Sequence, residues 1–489
     1  MTGVQTCALP ILESDLLVVY IVGAGPGDPK LITVKALELI KKADVILYDK
    51  LVSKDLLSYS KKECIKVYVG KKSEGSSQFQ EDINKELYDY GKDYNVVVRL
   101  KGGDPYIFGR GAEEAMYLYE RGVSFEVIPG ISSTVSCPMY SGIPLSYRES
   151  NSAFAFLTGH EAENKSFSIN WDKLPDTLII VMGIKNREAI ATNLIKSGFD
   201  PKTPVAIIKN GTTLLQETTI CDLSTLGKTP AEPPSVIFVG KNVKFRDKLD
   251  FFEKKLSLIK GKEIFVSRET GEELEIMKKM GAEVYAYSLI DIINIDFKVP
   301  NLSDYDVIVL TSATGVDRLE NIDLPKDKEY YTIGPKTEGK LIEKGIYPRR
   351  PEKYNSKELA KFMISEFKDK KKILTLRSEE APGYLEDRLK EFHEVTRVDV
   401  YKVRTRNDIP DKKNFDIAFV SSSSNADAFI KMGLKADIIV SIGPETSNGL
   451  LKNGIAPTIE AENHTISGML EALLDYLIGC ESHGKNKRS

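Results

Sequence analysis

The stretch VYIVGAGPGDPKLITVKALELIKKADVILYDKLVS, residues 19–53, decides the fold of the first half of the chain. The apolar run 16–22 is typical of a buried strand, and a glycine-rich loop follows it. Asp28 is a favourable N-cap and Pro29 a favourable first helical residue, so we expect a helix to begin there. Apolar residues then recur at helical spacing, and 44–48 predicts a second strand. This order of strand, loop, helix and strand indicates an α/β fold.

The loop GAGPG does not fit a dinucleotide-binding turn. That motif, G-x-G-x-x-G, needs a third glycine at position 28, where this chain has an aspartate. Pro26 also lacks the amide N–H that a pyrophosphate would need. A nicotinamide-dependent oxidoreductase is therefore disfavoured, whereas a plain connection without a ligand stays open for this loop taken alone.

Length and composition fit ordinary soluble globular domains. At about 150 residues per domain, 489 residues suggest roughly three domains. The net charge of −3 gives no general reason to expect a nucleic acid or an anionic membrane as partner. The five cysteines are scattered without C-x-x-C spacing, which favours a reducing cytosol and argues against a cysteine-built metal site. No apolar run approaches the ~20 residues of a membrane span. We expect a cytoplasmic protein.

The first dozen residues, MTGVQTCALPIL, are atypical. They lack the positive start and long apolar core of a secretory signal, and they follow no periodic pattern. We therefore expect 1–15 to be a leader of possibly non-native origin that takes no part in the fold.

Ligand-binding residue types follow the later strands of the first half. We expect these strands at 65–69, 96–100, 124–128, 153–157, 177–182, 203–209 and 235–239. In KGGDPYIFGRGAEEA, residues 101–115, Gly102 and Gly103 let the backbone approach a ligand closely. Arg110 and Glu113 lie three apart where a helix begins, so they share a face.

Eight motifs carry a resemblance to a known family. GAGPGD, YDKLVS, VGKK, RLKGGDPYIFGRG, VIPGISS, GIPL, TGH and MG occur in the order found in uroporphyrinogen-III C-methyltransferases, which are tetrapyrrole methylases. The resemblance covers about residues 18–243. It implies two α/β subdomains, about 16–130 and 131–243, with S-adenosylmethionine in the cleft between them.

The resemblance also implies the site residues. The methyl-donor site would be lined by Pro26, Gly102, Gly103, Asp104, Ile107, Ser132, Ser133, Met182 and Gly211. The residues facing the substrate would be Asp49, Lys71, Arg110, Glu113 and Arg148. Where relatives often have a histidine after the VGK segment, this chain has Gly75-Ser76-Ser77, so a role for that histidine is not carried over.

These residue types suit methyl transfer. A sulfonium methyl is already activated, so transfer needs alignment more than acid–base chemistry. Attack by an electron-rich pyrrole carbon leaves a cationic ring that must lose a proton, a task for Asp49 or a neighbouring base. The eight substrate carboxylates would pair with Arg110, Arg148, Lys71 and Lys101. Taken singly, each basic residue also fits a solvated surface charge, Asp49 a capping aspartate and Met182 core packing.

An internal repeat marks the second half, beyond a charged amphipathic segment that predicts a linker helix at 244–260. TIGPKTEGKLIEKGIYP at 332–348 returns as SIGPETSNGLLKNGIAP at 441–457, an offset of 109. IFVSR at 264–268 parallels ILTLR at 373–377 at the same offset, and VIVLTSATGVDRL parallels IAFVSSSSNADAF at nearly that offset. The repeat predicts two similar α/β subdomains, and two copies are too few for a solenoid.

Hydroxyl side chains follow the predicted strands of both copies. Thr311, Ser312, Ser421 and Ser422 are expected at strand ends, and Thr337 and Thr446 at helix starts. Ligands of open α/β sheets bind beyond the carboxyl ends of strands, where helix N-termini present amides to anions. Two such faces could bind a polycarboxylate, although the same hydroxyls also fit plain helix caps.

The second half, about residues 260–478, resembles the uroporphyrinogen-III synthases through TSATGV, IGPKT, VYKV and SSSSNADAF. The resemblance implies cyclisation of a linear hydroxymethyl tetrapyrrole with inversion of its last ring. Loss of hydroxide needs a donor near the leaving oxygen and an enclosing cleft. Tyr401 in VYKV is the candidate donor, or else a packing tyrosine, and the candidate carboxylate partners are Thr311, Ser312, Lys336, Ser421 and Ser422. We expect a synthase region at 261–478, one lobe at 261–292 plus 405–478, the other at 293–404, and a tail at 479–489.

Together the two resemblances predict a bifunctional enzyme. It would convert hydroxymethylbilane to uroporphyrinogen III and methylate that product at C2 and C7 with S-adenosylmethionine, giving precorrin-2 for sirohaem or cobalamin synthesis. We expect no metal, no nucleic acid or membrane partner, and a homodimer through the methylase half, as the family implies. One alternative is a methyltransferase with a non-catalytic tetrapyrrole-binding C-terminal module. Another is methylation of a later corrin intermediate, which the GRG-x-E motif around Arg110 disfavours.

Overall fold

The structure is a computed structural model that describes residues 17–61, 63–70, 78–159, 169–351, 354–408 and 411–485. The chain divides into two compact units, Met1–Leu256 and Ser257–Ser489. Among the described helices, none has the length and apolar character needed to cross a membrane. Of the predicted features, the leader at 1–15, Lys71 and Gly75-Ser76-Ser77 lie outside the described residues.

The first sheet of the first unit is entirely parallel. Its strands are β1 (Val18–Gly23), β2 (Val45–Tyr48), β3 (Ile65–Tyr68), β4 (Val96–Lys101) and β5 (Phe125–Ile128). They lie in the order β3-β2-β4-β1-β5. The helices between and after them are α1 (Val34–Lys42), α2 (Lys54–Leu57), α3 (Gln78–Asp93), α4 (Gly111–Tyr119) and α5 (Ser133–Tyr140). Ile46 packs into one core cluster and Leu47 into another, so this sheet is covered on both faces, which explains its continuous apolar runs.

Helix α1 begins later than the sequence predicted. Asp28 does act as a cap, because its Oδ1 accepts a hydrogen bond from Lys30 N at 2.9 Å, but the turn it caps is a single 3₁₀ turn at Pro29–Leu31. A second cap, Thr33, then starts the α-helix at Val34, which is 75% exposed and does not face the core. The prediction of a helix from Pro29 was wrong because two capping residues five positions apart compete for the same start.

The second sheet of the first unit is mixed. Its strands are β6 (Ala155–Thr158), β7 (Leu178–Val181), β8 (Pro204–Lys209), β9 (Glu217–Asp222) and β10 (Ser235–Val239), in the order β6-β7-β10-β8-β9. Only β6 and β7 run parallel, and the other neighbours are antiparallel. The helices are α6 (Arg187–Lys196) and α7 (Leu223–Leu226). All the strands predicted for the first half are present with ends within two residues, whereas β9 was not predicted.

The segment predicted as a linker helix is divided into short pieces. They are a 3₁₀ turn at Lys241–Phe245, α8 (Arg246–Leu249), α9 (Phe252–Leu256) and a further 3₁₀ turn at Ser257–Ile259. Asp250 separates the two α-helices, and its Oδ1 accepts a hydrogen bond from Glu253 N at 3.0 Å. The boundary between the two units therefore falls within this segment.

The second unit contains two further sheets. Its strands are β11 (Glu263–Val266), β12 (Glu283–Ala286), β13 (Ile290–Asn294), β14 (Val307–Leu310), β15 (Glu329–Thr332), β16 (Lys372–Ser378), β17 (Glu394–Thr405), β18 (Asn414–Val420), β19 (Lys435–Ser441) and β20 (Ile459–Glu460). Its helices are α10 (Glu272–Lys279), α11 (Ala313–Asp317), α12 (Pro335–Glu343), α13 (Ser356–Glu366), α14 (Tyr384–Lys390), α15 (Ser423–Lys431), α16 (Pro444–Lys452) and α17 (Ile466–Lys485). The sheet orders are β12-β11-β18-β19-β20 and β13-β17-β16-β14-β15.

The internal repeat corresponds to these two sheets, but each sheet combines pieces from both copies. β11 and β16 are equivalent by the offset, and so are β14 and β18. β11 pairs with β18, and β14 pairs with β16, so each sheet takes one piece from each copy. The connecting strand β13 pairs antiparallel with the end of β17. One sheet is therefore built from a continuous stretch and the other from the two ends of the unit.

Candidate active sites

Three glycine loops meet at the carboxyl end of the first sheet. Gly25 and Gly103 form a backbone bridge, with Gly103 N donating to Gly25 O at 2.7 Å. A Cβ added at Gly23 would lie 2.5 Å from Gly130 Cα and 2.7 Å from Gly103 O. Because these neighbours are backbone atoms that cannot move aside, Gly23 and Gly130 must be glycines, and Gly103 has a φ of +73°, which also favours glycine. The Cβ of a residue at Gly103 would itself come within 3.9 Å of Ser132 Cα, which brings the Ser132 loop to the same place.

The second subdomain of the first unit reaches the same loops. Asp28 N donates to Thr212 Oγ1 at 3.2 Å, and a Cβ added at Gly27 would lie 3.2 Å from Gly211 O. Pro26, directly before Gly27, therefore lies near the place where the two subdomains approach each other. Gly211 packs against Cys137, and burial raises the pKa of that thiol to about 12, so Cys137 is an inert wall residue here.

Non-glycine residues with left-handed backbone are concentrated in this unit. Among the described residues they are Phe108, Arg110, Met182, Asn210 and Thr212. Such conformations are costly for residues with a side chain and persist where surrounding structure imposes them, often at ligand sites. Met182 directly follows β7 and is 54% exposed, so it does not pack in the core.

The other predicted donor-site residues mainly order the loops. Asp104 accepts from Tyr106 N at 2.8 Å and from Gly130 N at 3.1 Å, so it joins two of the three loops. Ser132 is buried and caps α5, and Ser133 is the first residue of that helix. Gly102 and Ile107 lie half-buried in the loop between β4 and α4. Pro26, Gly103, Ser132, Ser133 and Gly211 are thus brought together, while Met182 lies directly after β7 in the second sheet.

Asp49 belongs to a buried charge network that sequence analysis missed. Its Oδ1 accepts from Arg99 Nη2 at 2.7 Å, and Arg99 Nε donates to Glu114 Oε1 at 3.1 Å. Lys101 Nζ donates to the same Glu114 oxygen at 2.8 Å. The side chains of Arg99 and Glu114 are 2% and 0% exposed, whereas that of Asp49 is 31% exposed. The sequence gives one sign of this network, which is the presence of two basic residues, Arg99 and Lys101, in the otherwise apolar strand VVVRLK. Buried charges need partners, so two basic residues in a buried strand predict buried carboxylates nearby.

The pKa values in this network follow from burial and pairing. Burial opposes the charge on Arg99, but the charges of Glu114 and Asp49 outweigh it and raise the pKa of the guanidinium. Burial and the neighbouring Arg99 charge lower the pKa of Lys101. The prediction that Lys101 binds a substrate carboxylate was wrong, because its ammonium group is buried against Glu114.

Arg110 and Glu113 form the expected pair at the start of α4. The Arg110 guanidinium donates to both Glu113 oxygens, at 3.0 Å from Nε and 2.6 Å from Nη2. The hydrogen bond to Arg110 lowers the pKa of Glu113. About half of each side chain is exposed, so the pair can meet an anionic ligand. Arg148 is exposed on the loop before β6.

In the second unit Tyr401 is buried and hydrogen-bonded. Its hydroxyl donates to Ser312 Oγ at 2.9 Å, and Ser312 caps α11 by accepting from Gly315 N at 3.0 Å. The neighbouring Thr311 Oγ1 accepts from Arg377 Nε at 3.4 Å. Arg377 also pairs with Glu386, and the two side chains are 4% and 3% exposed. The structure therefore brings Tyr401, which lies within β17, next to Thr311 and Ser312 at the carboxyl end of β14.

The equivalent hydroxyls of the second copy lie at the end of β18, as predicted. Ser421 Oγ and Ser267 Oγ are 2.9 Å apart, and Ser422 caps α15 by accepting from Asn425 N at 3.1 Å. Thr337 and Thr446 lie in the first turns of α12 and α16. Lys336 lies in the same turn as Thr337, but its side chain is outside what the structure describes. Within the described ranges, no group of three His, Cys, Asp or Glu side chains is placed to hold a metal ion.

Comparison with known proteins matches both halves. The family model of the Tetrapyrrole (Corrin/Porphyrin) Methylases matches residues 18–227, and that of Uroporphyrinogen-III synthase HemD matches residues 272–471. A uroporphyrinogen-III C-methyltransferase of Bacillus subtilis is 47% identical over 245 residues, which are 49% of this chain and 95% of that protein. The porphyrin biosynthesis protein HemD of Ruminiclostridium josui is 31% identical over 497 residues, which cover 94% of this chain and 97% of that protein. A crystal structure of uroporphyrin-III C-methyltransferase from Thermus thermophilus, complexed with S-adenosyl homocysteine, is 35% identical, with a TM-score of 0.41 over 46% of this chain and 93% of that one.

Two α/β enzyme folds therefore follow one another in this polypeptide. The chain belongs to the tetrapyrrole methylases in its first half and to the uroporphyrinogen-III synthases in its second half. Both family resemblances and the α/β fold predicted from the sequence are confirmed. The first unit is called the methylase half below, and the second unit the synthase half.

Proposed function

We propose that this chain is a bifunctional enzyme that converts hydroxymethylbilane to uroporphyrinogen III and methylates that product at C2 and C7 to give precorrin-2. The observation that carries the proposal is the similarity to the Ruminiclostridium josui protein over 94% of the chain, which spans both family matches. The product of the proposed cyclisation is the substrate of the proposed methylation, so joining the two activities in one chain is chemically coherent.

The glycine loops of the methylase half fit S-adenosylmethionine. A Cβ added at Gly103 would have no neighbour closer than 3.9 Å, so the glycine leaves open space beside Ser132 and Ser133 that a side chain would fill. Pro26 borders the same place from the first subdomain, and Gly211 borders it from the second. The cofactor, when bound, supplies an electrophilic sulfonium methyl group. The proposed role of these loops is to align the methyl donor with the macrocycle, which is the main requirement of such a transfer.

Asp49 is the proposed base that accepts the proton which the cationic ring must lose as its carbon is methylated. The Arg99 guanidinium holds it by a hydrogen bond of 2.7 Å, and its partial exposure leaves the carboxylate accessible. The paired Arg110 and Glu113, together with Arg148, are proposed to hold the carboxylates and pyrrole N–H groups of the macrocycle. Lys71 keeps the same proposed role from the sequence.

Tyr401 is the proposed proton donor of the synthase half. Its hydroxyl is already hydrogen-bonded to Ser312, which fixes its direction. A neutral donor near the leaving hydroxide of the linear substrate would release it as water. Thr311, Lys336, Ser421 and Ser422 are proposed to bind the acetate and propionate groups. We further propose the lobes at 261–292 plus 405–478 and at 293–404, and a homodimer through the methylase half.

A coupled assay tests the proposed function. The purified full chain would be given hydroxymethylbilane under anaerobic conditions, with and without S-adenosylmethionine, and products would be analysed by isomer and mass. We expect the type III isomer without the cofactor and the dimethylated product with it. A symmetric type I macrocycle without added methyl groups would contradict both activities. Type I alone, but methylated, would contradict only the synthase activity.

The homodimer is tested separately. Met116 and Tyr119 of α4 are 55% and 71% exposed and lie three residues apart, so they form an apolar surface that fits a subunit contact. We expect the mass in solution, measured by light scattering, to be twice 54.5 kDa. Met116→Lys should shift the mass towards one chain, and a wild-type protein that elutes as a single chain would contradict the dimer.

A further inference from the structure

The geometry of Glu114 differs from that of a salt bridge that serves only stability. Three donors, from Arg99, Lys101 and Gln80, converge on its Oε1 at 3.1, 2.8 and 3.4 Å. Its Oε2 is buried and has no hydrogen-bond partner. Leaving one carboxylate oxygen unpaired in the interior is costly, and stabilising pairs avoid it.

The synthase half contains a buried pair with the opposite geometry. Arg377 Nη1 donates to both oxygens of Glu386, at 3.2 and 3.0 Å, so neither oxygen of that carboxylate is left over. Arg397 Nη1 also lies 3.9 Å from this carboxylate, but Arg397 is itself paired with Asp399. At Glu114, by contrast, all the donors lie on the side of Oε1. One of them, Arg99, also donates from Nη2 to Asp49.

The charges around Asp49 balance only as a group. Two buried cations, Arg99 and Lys101, meet two carboxylates, Glu114 and Asp49. From α3, Gln80 and Asn84 face Glu114 as neutral amides, with Gln80 Nε2 also donating to Asn84 Oδ1 at 3.0 Å. From the start of α4, Arg110 and Glu113 face the network as an ion pair that neutralises itself.

We propose that Glu114 and Lys101 are positioning residues for methyl transfer, which hold the Arg99 guanidinium against Asp49 and set how strong a base that carboxylate is. The inference rests on the proposed function, because it deepens the role given to Asp49. Glu114 offsets one of the two cations, so Asp49 meets the net effect of roughly one positive charge rather than two. Neither Glu114 nor Lys101 is proposed to contact the ligand, since both residues are buried.

The test uses two substitutions with opposite signs. Lys101→Met removes a cation, so the acid limb of the pH–rate profile for methyl transfer should move to higher pH, by about one pH unit. Glu114→Gln keeps the shape but removes the anion, so the acid limb should move to lower pH and the plateau rate should fall, because Asp49 becomes a weaker base. The double variant restores the balance of charge and should recover most of the wild-type profile.

The measurement is the single-turnover rate of S-adenosylhomocysteine formation across pH in the full chain. The exposed Glu120→Gln, at the end of the same helix, is the control and should leave the profile unchanged. A structural role alone would make the double variant slower than either single one, without opposite shifts, and that result would overturn the proposal. If Glu114→Gln fails to fold, Lys101→Met still decides, because an unmoved acid limb contradicts the proposal.

Asp49→Asn separates this proposal from the proposed function. It should remove the acid limb altogether. If Asp49→Asn retains the wild-type rate, the assignment of Asp49 as the base is wrong. If its limb is lost but Lys101→Met leaves the wild-type limb in place, only the roles of Lys101 and Glu114 are overturned.

Discussion

The two halves of the chain place charge differently with respect to their candidate sites. In the methylase half Asp49 is the partly exposed member of a charge network whose other members, Arg99, Lys101 and Glu114, are buried. In the synthase half the candidate residues at the strand ends carry neutral hydroxyls. The buried ion pair of Arg377 and Glu386 contacts them through the hydrogen bond from Arg377 Nε to Thr311. The difference matches the proposed chemistry, since a proton is removed in the first half and donated in the second.

Two α/β units of similar architecture can therefore carry different charges at their candidate sites. In both halves the candidate residues follow strands at the carboxyl ends of sheets, where such folds bind ligands. What differs is the group that a buried arginine of the sheet contacts at that end. Arg99 of β4 contacts the carboxylate of Asp49, whereas Arg377 of β16 contacts the neutral hydroxyl of Thr311.

Asp49→Asn should have the largest effect, and it should affect only the methylase half. Loss of the carboxylate removes the proposed base, and we expect methyl transfer to slow by about 100-fold to 10,000-fold. The cyclisation rate of the same protein should not change, because Asp49 belongs to the methylase half. Single-turnover formation of S-adenosylhomocysteine and type III isomer formation measure the two rates. Equal loss of both rates would indicate a folding defect and would contradict a role of Asp49 in methyl transfer alone.

Arg377→Met tests whether the buried pair of the synthase half is mainly structural. Removing one partner leaves Glu386 charged and buried, so we expect the free energy of unfolding of that half to fall by about 3–5 kcal/mol. Arg388→Met, which breaks an exposed pair on the same helix as Glu386, is the matched control and should cost less than about 1 kcal/mol.

The two halves can be followed separately in that experiment. The single tryptophan of the chain, Trp171, lies in the methylase half, so its fluorescence reports only that half, and amide exchange in β16 reports the other. Arg377→Met should leave the tryptophan transition in place. Full stability with a lost cyclisation rate would instead give Arg377 a role in the chemistry, and the contrast between the halves would fail.

Tyr401→Phe should have the next largest effect. If the tyrosine is the donor, its loss slows cyclisation by about 100-fold, the lower end of the range for general acids. Tyr330→Phe is the matched control, because Tyr330 is a buried tyrosine of the same sheet whose hydroxyl donates to Pro325 O at 3.0 Å. The type III isomer formed per unit time measures both. An unchanged rate in Tyr401→Phe would remove the proposed donor, though not the activity itself.

Much of the fold could be predicted because most strands have a recognisable apolar pattern within their own sequence. The apolar runs of β1, β2 and β4 predict strands since both faces of that sheet are buried. β9, with the sequence ETTICD, is an edge strand without such a run, so periodicity did not reveal it. The start of α1 was missed because Asp28 and Thr33 are both good caps, and local chemistry does not decide between them.

The site was predictable as a set of loops but not as a set of charges. The glycines at 23 and 130 are required by close backbone contacts and that at 103 by its positive φ, and a motif preserves all three in order and spacing. The partners of Arg99 lie 50 residues before it and 15 residues after it, and only the fold brings them together. Lys101 was therefore assigned to the substrate from its charge, although its partner was Glu114.

The smallest expected effect concerns acid stability, and it again separates the halves. His393, between α14 and β17, is 6% exposed, its Nδ1 accepts from Lys371 N at 3.3 Å, and its ring packs edge-on against Phe367. Burial, and then the charge of Lys371, lower the pKa of this imidazole, so the folded state favours its neutral form.

Because that pKa lies below its unfolded value of about 6.5, the stabilisation is present above this pH and is lost as the pH falls below it. Urea unfolding followed by amide exchange in β17 should show the loss between neutral pH and pH 5, while the Trp171 transition should not share it. His393→Phe should flatten the dependence in the synthase half, and His464→Gln, which changes an exposed histidine, should leave it intact. A dependence that survives His393→Phe would have to come from the carboxylates of that half, and His393 would then not be its cause.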